Sequence, residues 1–402
     1  MDNTGGGNMS TTRQGPLADL TIIDCTMAYA GPFGTTLLAD LGANVIKVEP
    51  PHGDGFRNVP PYPPDHARVG TAETAGVDYG TAFASVNRNK RSISLDLKDP
   101  ADREVLLQLC EQADAIVENM RAGVMDEMGL SYENIAQRNP KIVYGAVRGY
   151  GDPRTGKSPY ADWPCLDPAG QSAGGLVEAT GNIFGVAIAD IYPGTLMALG
   201  LLAAVHKAQA TGEGEFFDVA MYDGVLTLLK SNVAAFGLTG QIPKPGVRAL
   251  VPFGLFNTSD GRIAIAAPVE RHWADLCRAM GREELIDDER TKTNPRRVRN
   301  TDFTNAQVEA WTTTKTKQEI VDLIGGRVPV GPANTIEEVF NDPHTQARNM
   351  IDQVEYPGDN PAGALSGNPI KFLNTPTSFH QRPPTHGEHT DEVLREFGIQ
   401  RE

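Results

Sequence analysis

The sequence predicts an α/β protein with a large doubly wound, Rossmann-like parallel-sheet domain and a smaller α+β domain. Short β-branched runs alternate with helix-patterned segments from Leu20 to Val147, the signature of a parallel sheet covered on both faces. A chain of 402 residues is too long for one ordinary core. Beyond a Pro/Gly stretch from Gly237 to Gly246, a hairpin signal and further helices replace the alternation.

The first strand is read at Leu20 to Cys25. Pro32 suits the first turn of a helix that continues through Leu41, and Gly42 closes it. Asn44 to Glu49 completes a βαβ unit. Its first turn, Tyr29-Ala30-Gly31-Pro32-Phe33-Gly34, contains glycine but not Gly-x-Gly-x-x-Gly, which weakens an NAD reading. Pro50 to Gly80 reads either as a functional loop over the carboxyl edge of the sheet or as a poorly ordered surface segment. Strand Ser92 to Leu97, a helix starting at Lys98-Asp99-Pro100, strand Ala115 to Glu118, helix Ser131 to Gln137 and strand Ile142 to Val147 follow. Arg88, Lys90, Arg91 and Lys98 form the densest cationic group, suited either to phosphates or to a solvated edge.

Trp163 to Gly175 reads as a loop entering a glycine-rich segment, in which Asp167 either orients a group or makes a turn. Gly185 to Asp190 reads as a buried strand, Pro193-Gly194 as a turn, and Thr195 to Val205 as a buried helix. Asp190 would then lie where free backbone N–H groups favour negative charge. From this segment alone it is either a helix cap or a carboxylate held ready as nucleophile or base. Phe216 to Met221 is a strand or a helix start, and Asp223 to Phe236 a helix. Asp260-Gly261 between two β runs is a hairpin signal, followed by helices at Trp273 to Met280, Phe303 to Thr312 and Lys317 to Ile324. Ile370 to Leu373 reads as a strand and Thr390 to Phe397 as a last helix. His386 and His389 can chelate a metal or form a helix-start turn; no metal site is assigned. The resulting plan is a disordered tail (1–16), a large domain (17–230), a small α+β domain (245–335) and a C-terminal return to the large domain (345–402).

A net charge of -15 argues against nonspecific nucleic-acid binding and against attraction to anionic membranes. It leaves room for an anionic small ligand at a helix terminus. A hydrophobic share of 40% and a mean hydropathy of -0.31 describe a soluble globular chain. No apolar run reaches the about 18 to 20 residues needed to span a bilayer. Cys25, Cys110, Cys165 and Cys277 are widely spaced, which fits a reducing cytoplasm. The first 16 residues lack the apolar core of a signal peptide.

Taken in order, several short motifs resemble the family III CoA-transferases (the CaiB/BaiF family), the group that includes formyl-CoA:oxalate and carnitine-type CoA-transferases. They are Ala30-Gly31-Pro32, Leu41 through Glu49, Asn87-Arg88-Asn89-Lys90-Arg91-Ser92, Val117-Glu118-Asn119 and Gly129. Further on stand Gly149-Tyr150-Gly151, Asp190, and Gly387-Glu388-His389-Thr390-Asp391. The likeness runs from about Pro16 to Gly398.

The resemblance implies that Asp190 is a nucleophile. Its carboxylate would attack an acyl-CoA thioester to give an aspartyl-acyl anhydride and CoA thiolate. The thiolate would return to form an aspartyl-CoA thioester, and an acceptor acid would reverse the sequence. Backbone N–H groups would stabilise the oxyanions, and water must be kept out, with residues 50–80 or the smaller domain as the cover. The positions similar to the family's CoA contacts are Tyr29, Ala30, Leu95, Asp96, Leu97, Lys98, Asn119, Met120 and Arg121, and Asp167 is assigned to CoA binding with them. Pro50 and Glu127 stand where some members carry basic residues, and Arg57 and Arg121 are the substitutes. The resemblance implies no permanently bound cofactor, an acyl-CoA donor, a carboxylic acid acceptor and an interlocked homodimer. By family frequency the pair is a small dicarboxylate exchange involving succinyl-CoA. Acyl-CoA racemases share the fold and pair a His with an Asp, but no His stands near Cys165-Leu166-Asp167, so this alternative ranks second.

Overall fold

Apolar side chains that alternate along a strand point to opposite faces of a sheet, and this sheet buries both faces. The computed structural model describes residues 14–62, 79–242, 249–357, 362–375, 377 and 380–401. Strands β1 (Thr21–Cys25), β2 (Asn44–Glu49), β3 (Lys90–Ser94), β4 (Ala115–Glu118), β5 (Val143–Arg148) and β6 (Phe216–Ala220) form a parallel sheet ordered β3-β2-β1-β4-β5-β6. Ile22, Val45, Ala115 and Val143 enter one core; their neighbours Ile23, Ile46, Ile116 and Tyr144 enter the other. The strand order reverses between β1 and β4, so the crevice beyond their carboxyl ends is where such a sheet takes a ligand.

Helices α1 (Ala30–Asp40), α2 (Pro100–Gln112), α3 (Tyr132–Arg138), α4 (Asp167–Ala173), α5 (Ile188–Thr211), α6 (Met221–Leu228) and α7 (Lys230–Thr239) accompany these strands. Helices α1, α5 and α6 cover one face, and α2 and α3 the other. The Asp99 carboxylate caps α2 by accepting from Ala101 N at 2.9 Å. Helices α1 and α5 cross at bare backbone. A Cβ on Gly34 would lie 2.3 Å from the Gly194 carbonyl oxygen, and one on Gly194 would lie 2.2 Å from that of Ala30. By length and composition α5 could cross a bilayer, yet here it packs Met197, Leu201 and Val205 into the sheet core.

The chain divides into two compact units, Met1–Ile242 with Ala347–Glu402, and Pro243–Gln346. The second unit holds the antiparallel strands β7 (Phe253–Thr258), β8 (Gly261–Ala266) and β9 (Val330–Pro332). Helices α8 (Glu270–Met280), α9 (Thr301–Thr312) and α10 (Lys317–Ile324) complete its core with Trp273, Val308 and Ile320. In the first unit β10 (Ile351–Val354) pairs with β11 (Gly363–Ser366), and α11 (Thr390–Glu396) covers the second face of the large sheet. At the edge of β3, His389 N donates to Ser92 O at 2.8 Å while its Nδ1 accepts from Ser92 N at 3.2 Å. His386 Nε2 donates to Pro50 O at 2.9 Å. Both rings of the histidine pair therefore hold backbone.

Several readings of the sequence need correction. Gly185 to Asp190 is not a strand: the chain turns into α5 at Ile188, and Ile183, Phe184 and Val186 are exposed. A short apolar run does not separate strand from helix, and Pro193 lies inside α5, where Gly224 leaves room for its ring. The strand read at 92–97 begins and ends earlier, at Lys90 and Ser94. The helix read at 223–236 is two helices, α6 and α7. Residues 167–173 are helical, not a loop, and Ile370 to Leu373 is irregular. The loop at 50–80 carries a 3-10 turn at Gly55–Asn58; its residues 63–78 lie outside the described residues, as do 243–246 of the linker and 1–13 of the tail.

Three of the four cations, Arg88, Lys90 and Arg91, form neither a phosphate site nor a solvated edge. Arg88 pairs with Asp40 at 2.6 Å, Lys90 with Asp24 at 3.0 Å, and Arg91 with Glu392 at 3.1 Å and with Glu396. All three cations are buried, and a buried charge persists only with such partners. Lys98 alone of the four is exposed.

Candidate active site

In a parallel sheet, a helix that returns the chain to the next strand begins at the carboxyl edge. Helix α5 precedes β6, so its first turn, with Asp190 as third residue, stands at that edge. Tyr29 and Ala30 follow β1, Leu95 to Lys98 follow β3, and Asn119 to Arg121 follow β4. The fold therefore gathers three separated segments and Asp190 on one side of the sheet. The α1/α5 crossing adds proximity. Gly194, one turn after Asp190, touches the Ala30 carbonyl.

Asp190 does not cap α5. Asp167, the first residue of α4, does so from outside: its Oδ1 accepts from Ala189 N at 2.9 Å, and its Oδ2 accepts from Gln171 Nε2 at 2.9 Å. Gln171, fully buried, also accepts from Phe184 N at 2.9 Å and so fixes the approach to α5. With the cap supplied by Asp167, the Asp190 carboxyl is left half-buried and free of that duty. Burial, followed by the Asp167 charge, pushes the Asp190 carboxyl up to about 7. The amino end of α5 favours the anion, but burial and the neighbouring carboxylate outweigh it.

Beside this pair lies the Cys165 thiol, which burial and then the Asp190 charge push up. Tyr150 belongs to an aromatic group in which Tyr160 and Trp163 stand 4.7 Å apart and Tyr222 lies 6.2 Å from Tyr150. The sequence reading gives Tyr150, Cys165 and Gln171 no role at the site. The only signal for Tyr150 was its place between Gly149 and Gly151.

Among the residues expected to meet CoA, Lys98 and Arg121 are exposed cations. Asp96 Oδ1 accepts from Lys98 N at 3.0 Å, and Leu95 is buried. Met120 N donates to Glu118 Oε2 at 2.7 Å. The Asn119 amide is engaged with Met27 at both ends. Arg57 follows Phe56, whose ring stands 5.8 Å from that of Tyr29; the Arg57 guanidinium is buried against Glu49 at 2.6 Å and stacks 3.9 Å from the Phe83 ring centre. Among the described residues no group of three or more His, Cys, Asp or Glu could hold a metal ion.

The family model described as CoA-transferase family III matches residues 17–390. The chain belongs to CoA-transferase family III. This transferase is 39% identical over 394 residues to a succinyl-CoA:mesaconate CoA-transferase of Haloarcula hispanica, covering 96% of this chain and 97% of the relative. It is 36% identical to an acetyl-CoA:oxalate CoA-transferase of Acetobacter aceti, with 92% of each chain covered. It is 33% identical to a human succinyl-CoA:glutarate CoA-transferase, covering 95% of this chain and 86% of the relative. The crystal structure of a CAIB/BAIF family protein from Brucella suis matches with a TM-score of 0.82 at 30% identity, covering 96% of this chain and all of that one. CoA thioesters are the substrates of this family, so the transferase takes an acyl-CoA and an acid.

The raised carboxyl gives a pH prediction. With Asp190 taken as the nucleophile that the family resemblance implies, the anion is the reactive form, and kcat/KM for acyl-CoA is expected to rise with pH through about 7 and level off above it. At pH 6 it is expected about tenfold below the plateau, the ionised fraction of a group titrating near 7. In Asp167→Asn the rise moves to lower pH, because the amide keeps an oxygen for Ala189 N but removes the repelling charge. A flat profile between pH 6 and 8, or one unmoved by Asp167→Asn, contradicts this assignment.

Proposed function

We propose that Asp190 is the covalent nucleophile in CoA transfer from succinyl-CoA to a short dicarboxylic acid. The observation that carries this reading is the half-buried Asp190 carboxyl at the head of α5, relieved of capping by Asp167 and raised to about 7. The Asp190 carboxylate adds to the thioester carbonyl and expels CoA thiolate, which leaves an aspartyl-succinyl anhydride. The thiolate attacks the aspartyl carbonyl, releasing succinate and forming an aspartyl-CoA thioester. The acceptor carboxylate then attacks that thioester, and the expelled thiolate takes the acceptor's acyl group, restoring Asp190. A carboxylate suits both roles because, once acylated, it is a good leaving group.

Supporting this reading, the aromatic group of Tyr150, Tyr160, Trp163 and Tyr222 adjoins the Cys165 side of the site, where an anhydride needs protection from water. Lys98 and Arg121 serve the CoA phosphates on this reading, with Tyr29, Ala30, Leu95, Asp96, Leu97, Asn119 and Met120 shaping the groove. The choice of succinyl-CoA rests on the names of the Haloarcula and human relatives.

The deciding experiment incubates the purified chain with succinyl-CoA and a panel of mesaconate, glutarate, oxalate and monocarboxylic acids, and separates the CoA esters by chromatography. A four- or five-carbon dicarboxylate is expected to accept CoA at least about tenfold faster than a monocarboxylate of similar length, since a site built for a polar group rejects a substrate lacking it. No transfer to any dicarboxylate refutes the substrate assignment. Deuterium exchange at the α-carbon without an acceptor acid points to the racemase instead.

A further inference from the structure

The turn after β1 is held almost entirely by side chains from other parts of the fold. Thr26 N donates to Asp24 Oδ1 at 2.9 Å, and Thr26 O accepts from Lys47 Nζ at 2.9 Å. Met27 N donates to Asn119 Oδ1 at 2.8 Å, and Met27 O accepts from Asn119 Nδ2 at 2.7 Å. Ala28 N donates to both Asp54 carboxylate oxygens at 3.2 Å. Five successive backbone groups, from Thr26 N to Ala28 N, thus bind side chains carried by β1, β2, the segment after β2 and the segment after β4. Asp54 is itself fixed by a 3.0 Å salt bridge to Lys47, and both are buried.

Such fastening has a conformational consequence at Ala28. Its φ is +64°, a left-handed conformation that a residue with a Cβ rarely adopts. Strain of this kind persists where the surroundings determine it, and it concentrates at functional sites. The location agrees. Asn119 leaves the end of β4 and Met27 follows β1, so the Asn119 amide spans the two loops on either side of the point where strand order reverses.

We propose that Asn119 and Asp54 are positioning residues for acyl-CoA, clamping Thr26–Ala28 so that the left-handed Ala28 delivers Tyr29 and Ala30 to the nucleotide-thioester groove. Asn119 acts through Met27, and Asp54 acts through Ala28. This rests on the assignment of Tyr29 and Ala30 to CoA made under the proposed function. A clamp of this kind alters the affinity for acyl-CoA and leaves the chemistry at Asp190 in place. It contributes equally to ground and transition states, so its loss appears in KM and not in kcat.

In steady-state assays with acyl-CoA varied at saturating acid, Asn119→Ala is expected to raise KM about tenfold, the scale of two lost hydrogen bonds, with kcat changed less than about twofold. Adding Ala28→Gly to Asn119→Ala is expected to recover most of that loss, because glycine takes φ of +64° without a Cβ penalty. Ala28→Val, which leaves both clamps intact but disfavours the left-handed conformation, is expected to raise KM on its own. An unchanged KM in Asn119→Ala, or a loss that Ala28→Gly does not repair, overturns the clamp. Tyr29→Ala separates the two levels of inference. If it leaves KM unchanged the turn does not meet CoA, whereas a raised KM in Tyr29→Ala with a normal Asn119→Ala rejects the clamp alone.

Discussion

Asp190→Ala is expected to lower CoA transfer by about four orders of magnitude or more, because on the proposed mechanism it removes the covalent nucleophile and closes the two-step route entirely. Wild-type protein incubated with acyl-CoA and quenched with hydroxylamine or borohydride should carry a mass change on the peptide containing Asp190, and the variant should carry none. Affinity for CoA should stay within about threefold, since no ordinary binding contact is removed. The fold should tolerate the change. With its carboxyl raised from 3.8 to about 7, Asp190 binds its proton more tightly when folded, so its contribution to stability declines as pH climbs from about 4 to 7. Alanine abolishes that decline and the repulsion with Asp167, while Asp167 continues to cap α5. A thermal midpoint at neutral pH no lower than that of wild type is therefore expected beside the lost activity. Transfer undiminished in Asp190→Ala would refute the nucleophile assignment.

The opposite balance of function and stability at Asp190 also explains what could be read from the sequence. Asn44 to Glu49 is a strand in the structure over the same six residues, because its β-branched Val45, Ile46 and Val48 are buried on the two faces of the sheet and Gly42 and Pro50 bound the run. Family likeness singles out Asp190 in the sequence, but its setting is not legible there. Its cap comes from Asp167, 22 residues away from Ala189, and nothing in Gly185 to Gly194 encodes that contact. The cations at 88–91 show the same limit more strongly. Their partners Asp40, Asp24 and Glu392 lie 48, 66 and 301 residues away, so local pattern alone cannot tell a buried ion pair from an open basic patch. Asn119 stands out in the sequence by family likeness, whereas its grip on Met27, 92 residues earlier, required the parallel pairing of β1 and β4.

Removal of Asp24 is expected to be the most destabilising single change in the large unit. Asp24 is fully buried; its carboxylate accepts from Thr26 Oγ1 at 2.5 Å and Thr35 Oγ1 at 2.6 Å, and pairs with Lys90 Nζ at 3.0 Å. Burial alone would raise its carboxyl, but Lys90, Lys47 and the two threonines together hold it at about 2. Burial brings Lys90 down to about 8 despite Asp24. In Asp24→Ala the Lys90 ammonium keeps only neutral acceptors, among them Pro32 O at 3.0 Å and Val86 O at 2.9 Å. Breaking a buried pair from one side costs about 3 to 5 kcal/mol. The lower part of that range is expected here, because Lys90 already titrates near 8 and can shed its proton when its counter-ion is gone. Urea titrations of Asp24→Ala and of Asp24→Ala with Lys90→Met test this, and the double variant should regain much of the loss. The acid limb adds a second reading. Asp24 and Glu49 are both depressed to about 2, from 3.8 and 4.5, so their contribution is full above about pH 4.5 and disappears as pH falls towards 2. Asp24→Ala should therefore lose stability less steeply than wild type over that interval. Since Asp24 also accepts from Thr26 N, the first backbone group of the turn before Tyr29, the single variant should weaken acyl-CoA binding as well. A single variant as stable as wild type, with an unaltered acid limb, would mean that the Lys90 pair is not what holds β1 to β3's amino end.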